Sequence, residues 1–471
     1  MPLVQRLMVT EQIKIQHLCR RAGFGDSIKN FEKEPFEIFL KTIFTSNSVF
    51  EEIYLPDEER VTTGELFKMT PEERKEILDD LAANIKKLNL EWLRIMGNAK
   101  GQLREKMAFF WHGHFAVRVR GFAQVESYIN TVRKYALGNF SDLLMAVSKE
   151  PAMLRFLNNV QNKKNSPNEN FAREVMELFT LGRGNYTEND IKEAARAFTG
   201  WGIDEDDTFL LKENQHDFGS KTIFGKTGNW SGEDVIKMIL ARKETAVFVV
   251  RKIYRFFVNE NVDENQVKLL ADKFFNDNYN ITNLMKIIFE SDWFYEPKNI
   301  SCNIKSPIEL LVGLNKTFGI SYENPQALLA VQRVLGQMLF FPPNVAGWAG
   351  GRNWIDNSTL ITRMNLPKKL AEAADFDVAV KDDMNDETPG AMRKSSNKNA
   401  LICSFNWDLF CKRFESTKEE ELWKKMSDYL LSPVSTPVLP ENLKTQKFDS
   451  NTTKIKAYSI YIVRLPEYQL T

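Results

Sequence analysis

Apolar residues recur at spacings of three and four over most of the chain, and alternating strand patterns are rare. That periodicity predicts a mainly α fold. Thr70 to Met96 reads as one long helix. Thr70 supplies a cap, Pro71 suits the first turn, and Leu78, Leu81, Ile85, Leu88 and Trp92 form one stripe. Further helices are predicted at Gln102 to Trp111, Ser141 to Asn158, Asn168 to Leu181, Thr187 to Thr199 and Glu244 to Val258. Ser358 to Ala374 reads as a helix kinked at Pro367. At most a small β-hairpin is expected, from Thr208 to Leu211 and Lys221 to Phe224 around a polar loop that contains His216. The organisation expected is a large bundle-like helical array over residues 1–374. A polar flexible linker follows at 375–400, and C-terminal helices within 401–471 dock on the main body.

Composition narrows the function classes. Lys plus Arg and Asp plus Glu both number 63 in 471 residues, so no net field recruits nucleic acid or an anionic membrane. Cys19, Cys302, Cys403 and Cys411 form no C-x-x-C pair, which removes zinc ribbons and thioredoxin-like motifs and leaves reduced thiols as the expectation. No run of 18 apolar residues exists, so no transmembrane segment is expected. The most hydrophobic stretch, Ala246 to Val258, carries Arg251, Lys252 and Arg255. The N-terminus lacks the apolar core of a signal peptide, which gives a cytoplasmic location as the default expectation.

The scarce histidines mark the segments with chemistry. His17 precedes Cys19-Arg20-Arg21-Ala22-Gly23, where Gly23 suits a helix end and the arginines suit its last turn. His112-Gly113-His114 lies in an aromatic run from Phe109 to Phe115. On a regular helix these two rings point roughly 200° apart, so they share one ion only if Gly113 breaks the helix. Between Asn168 and Gly182, Asn170, Arg173, Glu174 and Glu177 form a narrow polar stripe on an otherwise apolar helix. Such a stripe faces either a strip of solvent or a polar cavity. Thr187 to Asp190 has the form of a capping box and opens a helix that carries Glu193 and Arg196. His216-Asp217 follows, and a rigid Pro-Gly-Trp loop runs from Phe340 to Ile355. Gly225-Lys226-Thr227 lacks the upstream glycine of a phosphate-binding loop, whose place Ser220 takes, so an NTPase is excluded.

Taken in order, His17 to Gly25, Phe110 to Phe115, Pro167 to Trp201, His216 to Gly225, Lys305 to Leu310, Pro342 to Trp354 and Leu465 to Leu470 resemble the bacterial family called domain of unknown function 1800. The resemblance implies a mainly helical bacterial protein and no established reaction. It also implies a partner, a co-encoded protein of the family called domain of unknown function 1501.

The leading functional expectation is a metal-dependent, hydrolase-like enzyme. His112, His114 and His216 would hold a divalent metal ion, and Glu174, Glu177, Arg173 and Asp217 would serve catalysis around it. The alternative is a non-catalytic helical scaffold or assembly partner, in which the charged residues form buried ion-pair networks.

Overall fold

The structure is a computed structural model that describes residues 9–25, 35–47, 50–372, 402–431 and 437–471. It is mainly helical, as the periodicity predicts, with three two-stranded antiparallel sheets among the described residues. The expected linker at 375–400 lies outside the described residues. No helix among them is long and apolar enough to cross a membrane.

Helix α1 (Glu11–Arg21) ends before Gly23 with Arg20 and Arg21 in its last turn. Helix α2 (Pro71–Asn98) is the long predicted helix, closed at its start by a reciprocal cap between Thr70 and Glu73. Its stripe of Leu81, Ile85, Leu88 and Trp92 is buried. Helix α3 (Gln102–His114) runs one turn beyond the prediction, straight through Gly113. Helix α4 (Phe122–Tyr135) packs beside α2 and α3.

The element predicted from Ser141 to Asn158 is two helices, α5 (Phe140–Ser148) and α6 (Pro151–Phe156). Pro151 has no N–H to continue the first and is well suited to start the second. The next element departs from the prediction in its winding. Helix α7 (Asn170–Glu174) widens into a π-helical turn over Val175–Thr180. Helix α8 (Glu188–Ala197) follows, with the predicted cap of Thr187 and Asp190 in place.

The strand-like runs exist but do not pair with each other. Strand β1 (Trp201–Ile203) takes β2 (Phe209–Leu211), and β3 (Lys221–Ile223) takes β4 (Lys226–Gly228). The second ribbon turns on Phe224 and Gly225, both at positive φ, which closes a two-residue loop locally. That turn outcompetes the longer closure through His216.

Helices α9 (Lys243–Phe257) and α10 (Glu264–Asn276) form a tightly packed pair. Helix α11 (Pro307–Phe318) lies against α2. Helix α12 (Asn357–Ala371) keeps Pro367 inside it without being split into two elements. At the C-terminal end, α13 (Glu419–Leu430) and α14 (Asn451–Val463) pack on each other, and α14 also packs on α12. One large hydrophobic core joins these layers from Leu18 to Tyr468.

Candidate functional site

Three of the singled-out segments and helix α9 meet at one cleft of about 370 Å³, within the range of small-molecule sites. His114 comes from the end of α3, Glu177 and Leu178 from the π turn, Phe248 and Lys252 from α9, and Ala346 from the Pro-Gly-Trp loop. Gly182 and Arg183 complete its wall.

The π turn determines the chemistry of this place. The last carbonyls of any helix lack partners within it and must find them elsewhere. Here the Leu181 N–H donates to the Met176 carbonyl five residues back, and the Thr180 hydroxyl donates to the Val175 carbonyl. The carbonyls of Leu178 and Phe179 are satisfied by side chains from other helices. Lys252 Nζ donates to the Leu178 oxygen at 2.9 Å, and His114 Nε2 lies 3.0 Å from the Phe179 oxygen. Gly182 at φ +73° then ends the element, and an added Cβ would sit 2.8 Å from the Phe248 ring. Single π turns recur at functional sites, where the widened winding re-aims a side chain or carbonyl.

The tautomer of His114 follows from its partners. A carbonyl only accepts, so Nε2 carries the proton and Nδ1 is the acceptor for Lys252 Nζ, 3.2 Å away. Burial, and the nearby Lys252 charge, hold the imidazole well below the usual histidine range, so it stays neutral. The Lys252 amine is shifted in the same direction. Burial, and then Arg255, bring its amine down to about 8, even though it sits at a helix C-terminus where a cation is favoured. The amine makes no ion pair among the described residues, and its two hydrogen-bond partners are both neutral acceptors.

The rim is charged. Arg183 Nε donates to Glu177 at 2.6 Å and the Tyr186 hydroxyl donates to the same carboxylate at 2.8 Å. Burial pushes Glu177 up, but these two donors outweigh it and hold the carboxyl below its usual value. Glu174, one turn earlier, moves the other way, raised by burial and then by the Glu177 charge. Two neighbouring carboxylates are thus driven apart in acidity, a pattern typical of acid–base sites.

The other expected residues lie elsewhere. His112 is fully enclosed in a separate aromatic box of Trp92, Phe340 and Trp348. Its Nε2 accepts from the Phe340 N–H at 3.2 Å, and burial lowers its pKa to about 3. The ring therefore anchors the start of the Pro-Gly-Trp loop. Further along that loop, Gly347 at φ +76° lies so close to the Gly113 carbonyl that a Cβ there would overlap it. Gly347 is required by this approach to the α3 backbone, whereas a Cβ on Gly113 would meet open space, and Gly113 leaves α3 unbroken. His112 and His114 accordingly diverge, as a regular helix requires.

His216 packs on Phe218 and bonds through Nδ1 to the Thr199 carbonyl at 2.7 Å. Asp217 and Glu193 both pair with Arg196. Arg173 pairs with Glu169 and Glu188. His17 packs against Phe294 (tilted) and Tyr295 (edge-on) and is kept neutral mainly by burial. The structure thus brings His114 and Glu177 together, with Glu174 and the Arg173 charge close to Glu177, and leaves His112, His216 and Asp217 apart. Among the described residues no three His, Cys, Asp or Glu side chains converge as metal ligands would.

Lys252 is the residue that sequence reasoning passed over. Its signal was present, a lone lysine four residues after Phe248 in the most apolar stretch of the chain. Arg251 and Arg255 beside it are ordinary, and Arg251 pairs with Glu264 at the surface. Only the fold distinguishes the three.

A family model described as "Protein of unknown function (DUF1800)" matches residues 17–470. Neither a curated protein nor a solved structure matches the chain.

Proposed function

The chain belongs to the DUF1800 family, whose description assigns no reaction, and from its geometry we infer that it is an enzyme centred on the Lys252 cleft. Lys252 is the group that takes up and returns a proton. His114 and the Leu178 carbonyl position it, and Glu177 with Arg183 lines the entrance where a polar substrate is recognised. The observation that carries this reading is a half-buried amine with no carboxylate partner among the described residues, held by two neutral acceptors at the wall of an open cleft. A purely structural lysine taken partly out of water is expected to be paired, because desolvating an unpaired charge is costly. An amine near 8 is neutral for roughly a tenth of the time at pH 7, against roughly one part in 2,500 for an ordinary lysine. That difference is what general-base or nucleophilic lysines require.

The reading replaces a His/Glu metal centre with an amine centre. The reason is geometric: the imidazoles lie in separate surroundings, and His114 is engaged on both nitrogens.

Its test is the reactivity of the amine. Brief acetylation of the intact protein across pH 6 to 11, read peptide by peptide by mass spectrometry, should give Lys252 a half-maximal rate near pH 8. Exposed lysines should reach theirs near 10.5. A midpoint above 10 for Lys252, or no labelling at any pH, contradicts the reading.

A second reading, docking of another protein, draws on a different surface. Phe67 is 75% exposed beside a groove lined by Arg74, Arg118, Arg120 and Arg155. Loss of a co-purifying partner on changing Phe67 to Asp would favour it.

A further inference from the structure

We propose that Lys252 forms a covalent imine with a small, unhindered carbonyl compound, an aldehyde or a 2-oxo acid, bound in the cleft that it shares with His114, Glu177 and Arg183. This names the substrate class of the site inferred above and rests on that reading.

An ammonium group has three N–H donors, whereas a neutral amine has two and one lone pair. Lys252 has two partners, the Leu178 carbonyl oxygen and His114 Nδ1, and both are obligate acceptors here. The set suits the neutral amine completely: both N–H groups are spent and the remaining tetrahedral position is the lone pair. The same set leaves the third N–H of an ammonium without an oxygen or nitrogen acceptor from the protein, and only the face of Phe248, 4.8 Å away, is near it. Two neutral acceptors and no carboxylate leave the amine a free lone pair, which can attack a carbonyl carbon as well as take up a proton.

The surroundings agree with such an electrophile. Phe248, with the amine 4.8 Å from its ring centroid, and Leu178 give the cleft an apolar side against which a short carbon chain packs. Arg183 and Glu177 give it a polar side. The cleft volume of about 370 Å³ suits a compound of small size.

The step balances. The nitrogen lone pair forms the C–N bond to the carbonyl carbon, and the carbonyl oxygen departs as water with the two protons of the amine. Protonation of the resulting imine by solvent gives an iminium with one N–H. That donor remains matched, because His114 Nδ1 or the Leu178 oxygen still accepts it.

The experiment is reductive trapping on the intact wild-type chain. Pyruvate and propanal are supplied in separate arms with sodium cyanoborohydride at pH 7.5, and adducts are quantified at each lysine by peptide mass spectrometry. At least one arm is expected to fix an adduct on Lys252 at ten times or more the median of the other lysines, and the better arm names the carbonyl class. Lys252 labelling at or below that median in both arms overturns the proposal. Because the readout is a ratio within one folded protein, no variant is needed. Failure here with an acetylation midpoint near pH 8 would discard the imine and leave the proton-transfer reading standing. Failure of both would discard the site.

Discussion

Replacing Arg133 with Met is expected to destabilise the protein by about 3–5 kcal/mol, as for other buried ion pairs that lose one partner. Arg133 and Glu105 are 4% and 3% exposed and meet at 2.9 Å. The Arg133 Nε group also donates to Glu105, and Trp92 Nε1 donates to the same carboxylate at 2.9 Å. A further Arg133 nitrogen donates to the Glu51 carbonyl at 2.8 Å. These contacts tie α2, α3 and α4 together behind the helix that presents His114. Methionine fills the space but leaves the Glu105 carboxylate buried with a single neutral donor. Urea denaturation of the variant should show the loss, and the double variant Glu105→Leu, Arg133→Met should recover at least half of it. The recovery follows because the larger cost is the stranded charge, not the missing attraction. A loss under about 1 kcal/mol in the single variant would mean that the pair is hydrated and that α3 is held by apolar packing alone.

The second large effect is a dependence on pH. In the unfolded chain Lys252 holds its proton to its ordinary value, and in the folded chain only to about 8. Between those values the unfolded state binds more protons, so folding stability contributed by this group rises with pH. Below pH 8 the burial penalty on the ammonium is fully present, and above about 10.5 it is gone. The 2.5-unit difference is worth about 3 kcal/mol. Lys252→Met has no such proton. Unfolding free energies of wild type and variant, measured at pH 7 and at pH 10.5, should therefore differ in their gap by about 3 kcal/mol, with the wild type gaining at high pH. Taking the difference between the two proteins cancels the other titrating groups. Parallel pH curves would show that Lys252 titrates alike in both states.

The fold was legible where local signals act alone. Thr70-Pro71 and Thr187-to-Asp190 predict the starts of α2 and α8 because the cap is made within four residues. Gly182 likewise predicts the end of its element. What was not legible depends on partners far away in sequence. The π winding at Val175–Thr180 has the composition of an α-helix, and its freed carbonyls are satisfied by His114 and Lys252 from other helices. Strand pairing failed for the same kind of reason. The runs were visible, but β2 finds β1 at Trp201, which carries no alternating pattern long enough to announce itself.

The site was half legible. His114 and Glu177 stand out by residue type and do meet at the cleft. His112 stands out equally and is a packing group, since neutral imidazole serves an aromatic box as readily as a reaction. Asp217 and Arg173 are found in ion pairs at the protein's outer layers, where charged residues need no special purpose. Lys252 lines the same cleft and gave the weakest sequence signal, because a lysine is unremarkable until its neighbours are known.

The Lys252 amine is expected to be largely free of its proton under mildly alkaline conditions, and its own titration decides this. In protein labelled with ¹³C-lysine, the side-chain Cε resonance that disappears in Lys252→Arg identifies the residue. That resonance should titrate with a midpoint near pH 8. A midpoint of 10 or above would contradict the account and make Lys252 an ordinary cation at the end of a helix.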